Sequence, residues 1–201
     1  MSWARPSLKR FIMRVAASPT GSPLSDAVLL AELRAGDEAA LDILLERHWS
    51  AIYHYAYRRT GSADAATDVA QDVFCRLWER RASWSGDGSV RGLLFRLARN
   101  AAVSQHRSER GRARAAGVFT QLHLSSATQP LAAERAEIRA ALLRAVGELP
   151  PRRREVFQLR MMDNLSYEEI ADAMGTSRQT VANQLSAALT TLRRALAHLL
   201  D

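Results

Sequence analysis

Between Asp26 and Arg59 the apolar residues recur at helical spacing: Leu29, Leu30 and Leu33, then Leu41, Leu44 and Leu45, then Ile52, Tyr55 and Ala56. Steps of three and four place them on one side of a helix, whereas a half-buried strand would alternate every second residue. Ala35-Gly36-Asp37 interrupts the run, since glycine is a poor helix former and Asp37 suits the cap of a following helix. Two helices are therefore expected, the second closed by Gly61-Ser62. The pattern predicts a third over about Ala63 to Arg81, with Val69, Val73, Phe74, Leu77 and Trp78 facing inward. A fourth is predicted from Val90 to about Arg107, burying Leu93, Leu94, Leu97, Ala98 and Val103. The segment Ser83 to Ser89 between them reads as a loop by composition.

Periodicity then lapses. Residues 110–130 are rich in Arg, Gly, Ala, Ser and Thr, the composition of a tether. Helical spacing resumes over Leu131 to Val146, Pro151 to Met162, Tyr167 to Met174 and Ser177 to Leu200, and no strand pattern occurs. The expected fold is all-α: two small helical domains, residues 26–108 and 134–201, joined by a flexible linker at 109–133. Residues 1–25 read as a flexible basic extension, or as the product of a start codon set too early. Their apolar piece, Phe11-Ile12-Met13, is too short and too soon broken by Arg14 for a secretory signal.

Composition narrows the class. In 201 residues, 47% hydrophobic and 24% charged, the chain is neither disordered nor fibrous. The lone cysteine, Cys75, excludes an internal disulfide framework and any multi-cysteine metal site. No apolar run approaches the ~20 residues of a membrane span, so a soluble, cytoplasmic protein is expected.

The net charge of +7 points to an anionic partner, and its distribution says more. From Asp26 to Cys75 nine acids face four arginines, whereas from Arg76 to Arg107 seven arginines face only Glu79 and Asp87. An acidic block followed directly by a basic one suggests two partners of opposite character.

The C-terminal portion carries a helix-turn-helix. Ser166 and Glu169 have the spacing of a capping box, Ala171 is small where two helices cross, Gly175 permits a sharp helix stop, and Ser177 can cap the next helix. Val181 and Leu185 then point inward, leaving Arg178, Gln179, Thr180, Asn183 and Gln184 to reach base edges and phosphates from a helix in the major groove. The surrounding module has little net charge, so another body must supply most of the grip on DNA.

Gly36-Asp37-Glu38-Ala39-Ala40-Leu41, Asp68-Val69-Ala70-Gln71-Asp72-Val73-Phe74 and Leu94-Phe95-Arg96-Leu97-Ala98-Arg99-Asn100 together resemble region 2 of bacterial sigma factors of the extracytoplasmic-function (ECF) type. Leu149-Pro150-Pro151-Arg152-Arg153-Arg154-Glu155-Val156-Phe157 through Leu192-Arg193 is similar to their region 4. The resemblance implies a dissociable specificity subunit of core RNA polymerase that binds promoter DNA and is commonly held by an anti-sigma factor. By the same resemblance, Asp68, Gln71 and Asp72 would dock on the polymerase clamp. Arg91, Arg96, Arg99 and Asn100, with Trp84 as a stacking platform, would engage the −10 element. Arg178, Gln179, Thr180, Asn183 and Gln184 would read the −35 element. The chain departs from the family at Leu93, where a Trp is frequent, at Ser104, where an Asp is, and at Ala182, Ala187 and Ala188, where bases are common.

Other readings compete. Asp64, Asp68 and Asp72 align carboxylates at i, i+4 and i+8, as a hard metal would want, yet no Glu-x-x-His pair accompanies them and His48, His54, His106, His123 and His198 lack ligand spacing. No catalytic residue, metal, cofactor or small-molecule substrate is expected. Trp49, Tyr53 and Tyr57 form a row read as core rather than as a base-stacking ladder. Cys75, beside Phe74, reads as inert packing. The main rival is a response-regulator-type helix-turn-helix transcription factor, which would carry alternating strands and helices upstream.

Overall fold

The computed structural model describes residues 24–84, 88–109 and 131–197, with side chains through 103 and again from 138. Residues 1–23 of the expected 1–25 extension and residues 110–130 of the expected 109–133 linker lie outside the described residues. The described residues hold eight α-helices and no strand: α1 (Asp26–Ala35), α2 (Glu38–Thr60), α3 (Ala63–Glu79), α4 (Val90–Glu109), α5 (Leu131–Glu148), α6 (Pro151–Met161), α7 (Tyr167–Met174) and α8 (Arg178–Leu196). A short 3-10 turn, Arg81–Ser83, follows α3. The all-α expectation holds. The chain divides into two compact units whose main break falls between residues 120 and 121.

In the N-terminal unit, the α1–α2 junction shows how local sequence sets the boundaries. Gly36 has φ +97°, a left-handed conformation that glycine adopts without strain. Its N–H donates to the Leu33 carbonyl at 3.0 Å and that of Asp37 to the Glu32 carbonyl at 3.1 Å, which satisfies two carbonyls at the end of α1. The Asp37 carboxylate then accepts from the Ala39 N–H at 2.8 Å, so the residue that seals one helix also starts the next. Gly61 closes α2 in the same left-handed way, with φ +69°.

α2 is the central strut, with α1, α3 and α4 packed around it. Leu29, Leu33, Leu44, Leu45, Ile52, Val73, Phe74, Leu77 and Leu94 are fully buried. Truncating any of these leucines to alanine costs about 2–5 kcal/mol. One core expectation fails: Val103 is 42% exposed. The buried stripe of α4 runs through Val90, Leu93, Leu94, Leu97, Ala98, Ala101 and Ala102, and a residue one step past Ala102 is rotated by about 100° away from it. Phe95, buried at 2% exposure, takes the inner position that the apolar spacing did not assign.

The aromatic row of α2 also departs from its reading. Trp49, Tyr53 and Tyr57 are half-buried, because His48, Ile52, Tyr55 and Ala56 hold the inner face. Trp49 stacks on Phe74 of α3, and Tyr53 on Tyr57 with planes 14° apart.

In the C-terminal unit, α8 packs against α5 and α6. Leu149, Val156, Leu159, Leu165, Ile170, Val181, Leu185, Ala188 and Leu192 fill the interior. Among the described residues no helix is long and apolar enough to cross a membrane.

Candidate nucleic-acid and polymerase interfaces

Three polar surfaces stand on this framework. The first is the outer side of α3. Asp68 is exposed, and Gln71 and Asp72 are half-buried. At 100° per residue the three fall within an arc of about 100°, so one partner can meet all of them. The Asp72 carboxylate also accepts from Nε of Arg76, one turn later, at 2.9 Å. Such a half-exposed pair is worth at most about 1 kcal/mol and a stronger partner can displace it. Cys75, a half-buried thiol in no disulfide, lies within the same arc rather than inside the core.

The second surface is the outer side of α4 and the residues before it. Arg96 and Asn100 are exposed and Arg99 is half-buried, and all three share one arc of about 100°. Arg91 is not with them. It lies at the inner margin of α4, close enough for its charge to act on His48 of α2. Trp84 is half-buried at the foot of α3, where its indole N–H donates to the Leu77 carbonyl at 3.1 Å. That bond fixes the ring and satisfies its one donor.

Beneath this surface lies a polar cluster that sequence reasoning missed. His48, 6% exposed, shares a 2.7 Å hydrogen bond between its Nε2 and the Asp26 carboxylate at the start of α1. Arg47 pairs with the other oxygen of Asp26 and donates to the Leu24 carbonyl at 3.0 Å. Burial lowers the His48 pKa; Asp26 opposes this without cancelling it, and the Arg91 and Arg47 charges add to the lowering. The ring is therefore neutral near pH 7, and the cluster pins α1 onto α2. Asp26 and His48 are twenty-two positions apart, so no local spacing could reveal the pair.

The third surface is the helix-turn-helix. The capping box forms as the spacing predicts: the Ser166 N–H donates to the Glu169 carboxylate at 2.7 Å and the Glu169 N–H to the Ser166 hydroxyl at 3.1 Å. Gly175 has φ +61°, and the Ser177 hydroxyl accepts from the Thr180 N–H at 3.1 Å to start α8. Val181 and Leu185 are buried, so the opposite side of α8 must face outward.

That outward side is organised. Gln179 donates through Nε2 to Oδ1 of Asn183 at 3.0 Å, and Thr180 shares its hydroxyl with Ser177 at 2.9 Å. Gln179 and Asn183 are exposed at the centre of the face, with Ser186 and Thr190 continuing their line along the helix. Those two serve as extensions of the surface that the motif alone did not single out, though the i+7 and i+11 spacing from Gln179 was there to find them. Thr180 and Gln184 form one half-buried flank. Arg178 is on the other, exposed, with its Nε 2.8 Å from the Glu168 carboxylate of α7.

Arg154, in contrast, turns inward. Its Nε donates to the Val146 carbonyl at 3.1 Å and one terminal nitrogen to that of Leu149 at 2.9 Å, with Gly147 a further acceptor. It closes the C-terminal end of α5, whose carbonyls carry the negative end of that helix dipole.

Both halves of the chain match known proteins. Residues 44–112 match Sigma-70 region 2 and residues 139–192 match Sigma-70, region 4. The chain is 31% identical over 185 residues to the RNA polymerase sigma-H factor of Pseudomonas aeruginosa, covering 87% of this chain and 95% of that protein. It is 30% identical over 167 residues to the ECF RNA polymerase sigma factor SigL of Mycobacterium tuberculosis, covering 82% and 93%. A solved structure of CnrH in complex with the cytosolic domain of CnrY is similar at TM-score 0.62 and 25% identity, over 86% of this chain and 97% of that one. The sigma factor RpoE of Bartonella quintana, solved with the anti-sigma factor NepR, shares the fold at TM-score 0.54 and 24% identity, over 76% and 94%. The chain belongs to the ECF RNA polymerase sigma factors, a family that directs promoter-specific transcription initiation. This decides against the response-regulator reading, and the helices that stand where that reading needs strands agree.

Proposed function

We propose that the three surfaces divide initiation among them. The α3 face, with Asp68, Gln71 and Asp72, docks on core RNA polymerase. Trp84, Arg96, Arg99 and Asn100, with Arg91 adding positive field from the inner margin, hold the −10 element as it opens, aromatic stacking and arginine contacts being suited to unpaired bases and backbone. Arg178, Gln179, Thr180, Asn183 and Gln184 read the −35 duplex from α8 in the major groove. The two domains are taken as residues 26–108 and 134–201 with the tether between them, the ends of the 109–133 stretch being helical where Glu109 closes α4 and Leu131–Ala133 open α5. The observation that carries the reading is the separation of charge within one unit, an acidic face on α3 and a basic one on α4.

The protein has no catalytic activity of its own in this reading and acts in the cytoplasm, where polymerase is. An anti-sigma factor is a further partner, a proposal supported by CnrH having been captured with the cytosolic domain of a second protein. The test is reconstitution. Core polymerase with this protein should initiate at a defined subset of genomic promoters, and initiation no better than by core alone on any template would overturn the assignment.

A further inference from the structure

Glu168 belongs to the first turn of α7 and Arg178 opens α8, yet Nε of Arg178 stands 2.8 Å from the Glu168 carboxylate. The turn between the two helices brings them within reach. Gly175 supplies its left-handed step, the Thr176 N–H donates to the Ala171 carbonyl at 3.0 Å, and the Ser177 hydroxyl starts α8.

Stability does not explain the pair. The side chains are 71% and 63% exposed, and ion pairs so open to water contribute little. Nor does α7 need Glu168 to begin, because Glu169 forms the capping box with Ser166. Close to DNA the carboxylate is unfavourable, since the first helix of a helix-turn-helix crosses the phosphate backbone, which an acid repels. What Glu168 does have is a hold on Arg178.

A guanidinium carries five N–H donors in a rigid plane, and a single carboxylate engages only one edge of it. Held at Nε, the group presents the N–H donors of its far edge away from Glu168. Arg178 is also the first residue of α8, and the N-terminal residues of a recognition helix are the ones that contact base edges. Two terminal N–H groups side by side match O6 and N7 of guanine in the major groove.

We propose that Glu168 is a positioning residue of the promoter interface: it orients the Arg178 guanidinium toward a guanine and so sets the preference at one base pair of the −35 element. The proposal rests on the assignment of α8 to the −35 duplex, and adds to it the base read by Arg178 and the residue that aims it.

The experiment is a binding selection on a randomised −35 element, using the full chain bound to core polymerase. Wild type is compared with Glu168→Ala, Glu168→Gln, Arg178→Ala and the Glu168→Ala, Arg178→Ala double variant. Wild type should favour guanine at one position by about tenfold, and Arg178→Ala should abolish that preference. Glu168→Ala should reduce it several-fold at the same position alone, while affinity for the remaining sequences holds or rises because a charge repelling phosphate is gone. The double variant should be no less selective than Arg178→Ala, as expected when one residue acts through the other. Melting temperature is followed in parallel, and Glu168→Gln, which keeps the side chain's size, decides the matter if Glu168→Ala fails to fold. Should Glu168→Ala keep the wild-type guanine preference, or Arg178→Ala weaken binding equally on every sequence, the proposal is refuted while a profile altered by Gln179→Ala keeps the α8 assignment. A profile unchanged in Glu168→Ala, Arg178→Ala and Gln179→Ala alike would overturn that assignment and the proposal with it.

Discussion

Three consecutive arginines, Arg152, Arg153 and Arg154, open α6 in a DNA-binding module, and a charge-based reading would give all three to phosphate. The structure separates Arg154 from the others, and replacing it with alanine tests that separation. The side chain makes three hydrogen bonds to carbonyls at the end of α5, in partly buried surroundings. A bond from a charged donor is worth about 1.5–3 kcal/mol, but water can reach this helix end and take over part of the role, so a net loss of about 2–3 kcal/mol is expected. For a unit of this size each kcal/mol corresponds to about 4–8 °C, which puts the fall in melting temperature at roughly 10–20 °C. Thermal unfolding followed by circular dichroism measures the fall, and hydrogen exchange should show lost protection in the last turn of α5. Arg152→Ala, at an exposed position, should stay within about 0.5 kcal/mol of wild type. If Arg154→Ala melts within 2 °C of wild type yet loses affinity for promoter DNA, the capping argument is wrong and Arg154 belongs to the interface.

Three further outcomes are expected. The pKa of buried His48 lies below its ordinary value of about 6.5, so the unfolded chain takes up the proton first as pH falls. Its contribution to stability is complete above about pH 6.5 and declines as pH drops toward the lowered folded value; His48→Gln should flatten that part of the stability profile, and an unchanged slope between pH 7 and 5.5 would contradict the sign. Reversing both acids, Asp68→Arg with Asp72→Arg, should weaken core polymerase binding at least tenfold in a competition assay while helicity and melting stay close to wild type, because neither carboxylate is buried; unaltered competition would move the docking face elsewhere. Gln179→Ala should change base preference in the −35 element by roughly 1–3 kcal/mol at the contacted position, read by a binding selection, and a preference profile identical to wild type would remove Gln179 from the readout.

What could be read from the sequence was whatever is decided locally. Gly36 with Asp37, Gly61 with Ser62, and Ser166 with Glu169 act over four residues or fewer, and the structure forms each as its spacing predicts. Apolar periodicity located the helices and most of the core for the same reason. It misplaced Val103, since a stripe extended one residue too far gives no warning, and it passed over Phe95, whose inward position depends on meeting Tyr55 of another helix. The Asp26–His48 bond and the inward turn of Arg154 join elements whose contact no spacing encodes. For the site, the motif picked out the residues of α8 but not the bonds among them, and the resemblance that grouped Arg91 with Arg96 and Arg99 gave no sign that its charge also acts on His48.

The bond between Gln179 and Asn183 bears on how such a factor changes its targets. Under the assignment proposed above, the two amides confront DNA as a couple, each holding its neighbour's orientation before the duplex arrives. Altering one alone leaves the other with a mismatched mate as well as an altered base to face, so single steps forfeit recognition before they create any. Divergence of promoter repertoire among duplicated genes of this kind should therefore pass through paired replacements at these two sites.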